Sequence, residues 1–234
     1  MDKSALKPIV TVVNRWLTFQ ELCHRTPLFS EAYLGQPIGE FLLSNYRTGR
    51  FEPELNHPTL NSPRRGRPNQ LDYALFSPGQ NALVTAIECK WITSRVYPKQ
   101  LILDDLLRLE CVRFTGRHVT RYFLVAGSTN HFDRNFRDAE INVGGGRAPF
   151  APELLPFKYG ANSKKSVSVL NAPAGLRKYF KEFEDGYSTE LPKTFKTELV
   201  ARSRSSAIAT YLWQISSVPN RSLFSPRKEW SGAA

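Results

Sequence analysis

Three residues of this chain could do chemistry together. Glu88 and Lys90 stand two apart in LVTAIECKW (83–91), a run rich in strand-forming residues. On a strand they share one face, while Ile87 and Cys89 point the other way, into core. A second such run, LDYALF (71–76), lies across SPGQNA, whose Pro78 and Gly79 signal a turn. Paired as a hairpin centred on Gln80, these runs set Phe76 against Val84 and Asp72 against Glu88. Asp72, Ala74 and Phe76 then share a face with Ala86, Glu88 and Lys90. A slip of one residue would destroy this constellation.

Two carboxylates held close repel, and one takes up a proton unless a cation lies between them. A hard divalent ion resolves this, with Mg2+ the natural choice for oxygen ligands and phosphate substrates and Mn2+ its substitute. An ion held by Asp72 and Glu88 can bind a scissile phosphate and acidify a bound water. The carbonyl of Cys89 could add a backbone ligand. Lys90 would stand beside the water or the phosphate oxygens, orienting the nucleophile and stabilising growing charge. The plainer alternative is a salt bridge on an exposed strand face, since an ExK pair occurs by chance in many chains. Against it, these charges sit in the most apolar strands of the chain, where a charge without a role is costly.

Several elements must position these residues. Residues 9–24 read as a helix with mixed faces. Ser30 can cap a second helix from Glu31, kinked or restarted at Pro37 and ending near Gly49. Residues 51–55 form a short strand, followed by a polar, basic loop, NHPTLNSPRRGRPNQ. After the hairpin, KQLILDDLLRLECVRF has the apolar period of an amphipathic helix. RYFLVAG (121–127) is a buried strand and NHFDRNFRDAE (130–140) a polar helix. Residues 141–175, with GGG at 144–146 and SKK at 163–165, suggest long loops. A helix is expected around LRKYFKEFED. Two strands, 195–203 and 207–217, close the fold, with Tyr211, Trp213 and Ile215 on one face. The tail 219–234 is polar, basic and loose. The whole reads as one domain over 1–234, an α/β mixed sheet flanked by helices.

LDYALF, a turn and AIECKW resemble the core motif of the PD-(D/E)xK nuclease superfamily, over roughly residues 30–127. Its first acid would be Asp72, its second Glu88 and its lysine Lys90, with Leu71 where the name-giving proline would stand. The resemblance implies a restriction-endonuclease-like fold with a core at 30–127 and a C-terminal extension. It also implies a metal-dependent deoxyribonuclease, an endonuclease of defence, restriction or repair. Many members bring a further glutamate from the first core helix. Glu31 is the first candidate and Glu40 the second, against their ordinary readings as a helix-start charge and a solvated residue. Gln100, opening the helix after Lys90, could reach the metal-bound water, as glutamines do in similar nucleases. Asp105 and Arg108 read as an intrahelical pair, or Arg108 as a brace for the active-site strand. A nuclease-like fold without catalysis, serving to bind nucleic acid or to assemble, is the rival reading.

The charge points the same way. Thirty-two lysines and arginines against twenty-one acids leave +11, which calls for an anionic partner: nucleic acid first, DNA before RNA. Arg64, Arg65 and Arg67 lead into Asp72 and could track a phosphate backbone, although a flexible charged loop would look the same. Lys164, Lys165 and Arg147 could add a second contact. No apolar run approaches a membrane span, and the N-terminus is unlike a signal peptide. Three widely spaced cysteines form no disulfide framework, so a cytoplasmic setting is expected. A homodimer or larger complex is left open.

Overall fold

A computed structural model describes residues 3–47, 49–60, 69–79, 81–94, 99–113, 118–137, 142–143, 146–147, 154–160, 163–219 and 221–230. Helices α1 (Lys3–Leu6), α2 (Ile9–Leu22) and α3 (Glu31–Asn45) precede strands β1 (Arg50–Asn56), β2 (Gln70–Phe76) and β3 (Leu83–Ile92). Then come α4 (Lys99–Cys111), β4 (Thr120–Ser128), α5 (Thr129–Phe132) and the two-residue strands β5 (Asn142–Val143) and β6 (Gly146–Arg147). Next are β7 (Lys164–Ser168), α6 (Ala174–Tyr187), β8 (Leu191–Pro192), β9 (Thr194–Arg204), β10 (Ile208–Ser217), β11 (Leu223–Phe224) and α7 (Pro226–Glu229). Seven strands form one mixed sheet in the order β1-β2-β3-β4-β10-β9-β7. Only β3 and β4 run parallel, because α4 carries the chain back between them. Among the described residues no helix is long and apolar enough to cross a membrane.

Alternation along the strands makes two cores. Tyr73, Leu75, Ile87, Cys89 and Trp91 pack with Ile9, Val13 and Leu17 of α2 and Leu34 and Ile38 of α3. Ala74, Phe76 and Ala86 turn to the opposite face, with Leu103, Leu106 and Leu107 of α4 and Phe180 and Phe183 of α6. Tyr211, Trp213 and Ile215 lie together in this second core, as their period of two predicts. Helix α2 is tied to the sheet by Asn14, whose buried amide donates to the carbonyls of Ile208 at 2.9 Å and Ser203 at 3.3 Å.

Several expectations need correction. Helix α3 runs unbroken through Pro37 and ends at Asn45, four residues before Gly49. A Cβ at Gly49 would meet the Tyr46 ring at 2.1 Å and the Phe76 carbonyl at 2.5 Å, so Gly49 serves a close approach between α3 and the sheet. Helix α4 stops at Cys111, and the polar helix expected from 130 is a four-residue α-helix followed by a π-turn, Asp133–Arg137. Lys164 and Lys165 belong to edge strand β7 rather than to a loop. The strand pair at 195–217 is no extension: β10 pairs with β4 inside the central sheet. The tail is tied down as well. Leu223 and Phe224 pair with β8, and Trp230, 8% exposed, packs on Phe180 and Phe224. One apolar ring at the end of a basic segment suffices for this, because it buries a large area for little side-chain entropy.

Candidate active site

The hairpin that carries the site keeps the expected register from Leu75 to Tyr73, where the paired ladder ends. Tyr73 pairs with Ile87, Ala74 with Ala86 and Leu75 with Thr85. A bulge between Leu75 and Phe76 then sets Phe76 against Leu83 rather than Val84. The slip falls on the turn side, so it does not reach Asp72 and Glu88. Asp72 Oδ2 accepts the backbone N–H of Cys89 at 2.6 Å, which ties the acid of β2 to the strand of Glu88 and Lys90.

Glu88 is 1% exposed, in a strand buried on both faces. Burial pushes its carboxyl pKa well up, Arg108 pulls it back, and the nearby Asp72 and Asp105 push it up further. Arg108, on α4, places Nη2 2.6 Å from Glu88 Oε2 and 3.3 Å from Asp105 Oδ1. Both earlier readings of Arg108 therefore hold: it makes the intrahelical pair and it braces the strand. Asp105 Oδ2 lies 3.1 Å from Lys90 Nζ, and Lys90 reaches Glu31 Oε2 at 3.0 Å. Burial pushes Asp105 up to about 6, against the pull of Lys90 and Arg108. The result is a continuous chain of charge, Glu31–Lys90–Asp105–Arg108–Glu88, linking α3, β3 and α4.

Glu31 is delivered by a local device. The Ser30 side chain accepts the N–H of Tyr33 at 3.2 Å, starting α3 so that Glu31 occupies its first turn. Glu40, the other candidate, is an exposed residue of the same helix and accepts from Gln36 at 3.3 Å. Gln100 turns to Glu182 at 3.2 Å rather than toward Glu88. Arg64, Arg65 and Arg67 lie outside the described residues, as does the side chain of Arg147.

Glu31, Asp72, Cys89 and Arg108 line an open cleft of about 760 Å³, together with Phe51, Glu54, Asn69 and Tyr73. Glu54 escaped the sequence reading. It stands on β1 between Pro53 and Leu55, which pair with Tyr73 and Leu71, and so lies across from Asp72. Its φ of 53° is one of four positive values among described non-glycine residues. Nothing in FEPEL marks such a conformation. The role of Asp105 had one visible signal, an acid doublet set within the apolar run LILDDLL of an amphipathic helix.

Two anchors hold α4 in place. His57, 6% exposed, accepts the N–H groups of Thr59 and Leu60 on Nδ1, which leaves Nε2–H to donate to the Arg108 carbonyl at 3.0 Å. Further along, the buried Glu110 carboxylate meets Arg113, Arg121 and Arg221 at 3.2, 2.7 and 3.1 Å. That cluster ties α4 to β4 and to the segment after β10.

The residues suit a hard cation in one respect and fall short in another. Four carboxylates (Glu31, Asp72, Glu88 and Asp105) against Lys90 and Arg108 leave a formal charge of −2, the complement of a divalent ion. Glu88 Oε1 is buried with no hydrogen-bond partner, which calls for a positive group. Yet among the described residues no three histidine, cysteine, aspartate or glutamate side chains stand together as a metal-holding group. The donor set that fits is the pair Asp72 and Glu88. Comparison of the chain with family models, with curated proteins and with solved structures gives no match, so its function has to be argued from this geometry.

Proposed function

We propose that the chain is a metal-dependent nuclease that hydrolyses DNA phosphodiester bonds, an endonuclease on a restriction-endonuclease-like sheet. Asp72 and Glu88 would hold Mg2+, or Mn2+ in its place. The observation that carries this reading is the approach of Asp72, Glu88, Lys90 and Glu31 from three separate elements, with Glu88 Oε1 buried and without a hydrogen-bond partner. When bound, the ion supplies a Lewis acid for the phosphate and lowers the pKa of a water. The chain's own groups do the rest. Lys90, held between Glu31 and Asp105, offers its ammonium to a phosphate oxygen as charge grows there. Arg108 offsets part of the burial that pushes the Glu88 carboxyl toward its protonated form. The formal +11 of the chain would gather the polyanion, and the three free cysteines suit a reducing cytoplasm.

The rival, a nuclease-like fold that binds nucleic acid or assembles without cutting it, is favoured by one observation. Lys90, Arg108 and Glu88 already have partners within the chain, and no three-ligand metal group occurs among the described residues. Incubating the purified protein with circular and linear DNA in Mg2+, Mn2+ or EDTA separates the two. Nicking or linearisation of the circle with either metal, absent in EDTA, is expected. Retarded but uncut DNA in both metals would establish the rival.

A further inference from the structure

We propose that Asp105 is a positioning residue that sets both working arms of the site at once, the Arg108 clamp on Glu88 and the Lys90 ammonium. The proposal rests on the nuclease reading and assigns a role to a residue outside the Asp72, Glu88, Lys90 and Glu31 set.

Asp105 is 3% exposed and lies on the side of α4 that faces β3. Its two oxygens are divided: Oδ1 lies 3.3 Å from Arg108 Nη2 and Oδ2 lies 3.1 Å from Lys90 Nζ. It is the one member of the charge chain in contact with both cations. The division has a consequence for Glu88. Arg108 can form a two-pronged pair with a carboxylate, and with Asp105 drawing on the same Nη2 it engages only Oε2. Oε1 is thereby left without a partner, the oxygen a metal ion would use. The same Asp105 holds Lys90 inward. The pairing of Lys90 with Glu31 draws it the other way, toward a side chain that is 43% exposed. Loss of the 105 charge would let Arg108 close on both oxygens of Glu88 and let Lys90 swing to the rim.

This predicts a double deficit that simple destabilisation does not produce. Asp105→Asn, which keeps the volume, should weaken Mn2+ binding by about tenfold to a hundredfold, the range typical when a partner of a metal ligand is removed. At saturating Mn2+ it should still cleave DNA at least about tenfold more slowly than the parent, because Lys90 is displaced as well. The two arms separate in the neighbouring variants: Lys90→Met should lose turnover and keep Mn2+ affinity, and Arg108→Gln should lose Mn2+ affinity. Asp104→Asn, at the preceding residue, which lines a separate pocket with Gln100 and Glu182, is the control and should bind Mn2+ as the parent does.

The measurements are calorimetric Mn2+ titration, single-turnover cleavage of a DNA duplex, and thermal midpoint for each protein. If Asp105→Asn does not fold, Asp105→Asn/Lys90→Met removes the acid together with a cation that needs it. That double variant should bind Mn2+ at least about tenfold more weakly than Lys90→Met alone. An active parent whose Asp105→Asn form binds Mn2+ and cleaves within twofold of it would overturn the positioning role alone, as would a double variant equal to Lys90→Met. A parent that neither binds Mn2+ nor cuts DNA would overturn the nuclease reading and this role with it.

Discussion

Glu31 Oε2 and Lys90 Nζ lie 3.0 Å apart, although fifty-nine residues separate them in the chain. The contact ties the first turn of α3, a helix that packs on the Ile87 and Cys89 face, to Lys90 of β3, and it singles out Glu31 over Glu40. Glu31→Gln should therefore slow cleavage by about tenfold, the factor expected when one charge-assisted contact is lost. Glu40→Gln, altering an exposed residue bonded only to its own helix, should cut at the parent rate. Because the Glu31 side chain is 43% exposed, neither change should cost more than about 1 kcal/mol of stability. Equal rates for Glu31→Gln and the parent would leave the pair a structural contact.

Lys90 separates an enzyme from a retired fold. Its ammonium acts on the reaction, so Lys90→Ala should reduce cleavage by a factor on the order of 10² or more while DNA binding and Mn2+ affinity persist. The side chain is only 12% exposed and serves Asp105, so some stability goes too, on the order of 1–3 kcal/mol. Rates measured alongside thermal midpoints distinguish the two effects. A Lys90→Ala protein that cuts as fast as the parent would remove Lys90 from the site.

The metal assignment rests on Asp72 and Glu88 acting as a pair. Asp72→Asn keeps the oxygen that accepts the Cys89 N–H and deletes one charge from a cluster of formal −2. Calorimetry with Mn2+ should show binding by the parent and little by Asp72→Asn. Equal binding by both would place any metal elsewhere.

How much of this was legible in the chain differs from element to element. The β2–β3 register could be read because alternation and turn length agree, and the bulge at Phe76 perturbs only the turn end. The cap at Ser30 is a local rule and holds. What could not be read depends on tertiary partners. β7 was hidden because KKSVS has the charge of a loop, and it becomes a strand by pairing with β9 at the sheet edge, where lysines discourage further pairing. The C-terminal tail was hidden because Trp230 needs α6 and β11 to pack on. Glu54 faces Asp72 through a left-handed residue that no composition rule foretells, and the dividing role of Asp105 exists only once α4 lies on β3.

Arg64, Arg65 and Arg67, whose placement lies outside the described residues, join β1 to the acid of β2 along the chain. Replacing all three by glutamine should weaken DNA binding equally across sequences. If each touches one phosphate of a duplex, the slope of log affinity against log salt should flatten by up to about 2.7. An unchanged slope would show that this segment does not contact phosphates.

His57 makes the fold sensitive to acid from a position beside the site. Burial lowers its pKa to about 4, from an ordinary value near 6.5. A proton on Nδ1 would also meet the N–H groups of Thr59 and Leu60, which already point at that nitrogen. Because the folded pKa lies below the unfolded one, the unfolded chain takes up the proton first. The neutral ring thus contributes fully above about pH 6.5, and the contribution falls away as pH drops toward 4, by on the order of 3 kcal/mol in all. Asp104 and Asp105 act in the opposite sense. Burial raises both to about 6, so their folded forms hold protons more tightly than the unfolded chain, and their acid forms are favoured as pH falls from 6. The net slope of the parent alone is therefore ambiguous, and the difference between two proteins isolates the imidazole. Urea unfolding of the parent and of His57→Gln from pH 7.5 to 4.5 should give curves that converge as the pH falls, since the variant has no such contribution to lose. Curves that stay parallel across that range would mean that His57 titrates in the fold as it does in water, and that the clip between the Asn56 end of β1 and α4 does not depend on its neutral form.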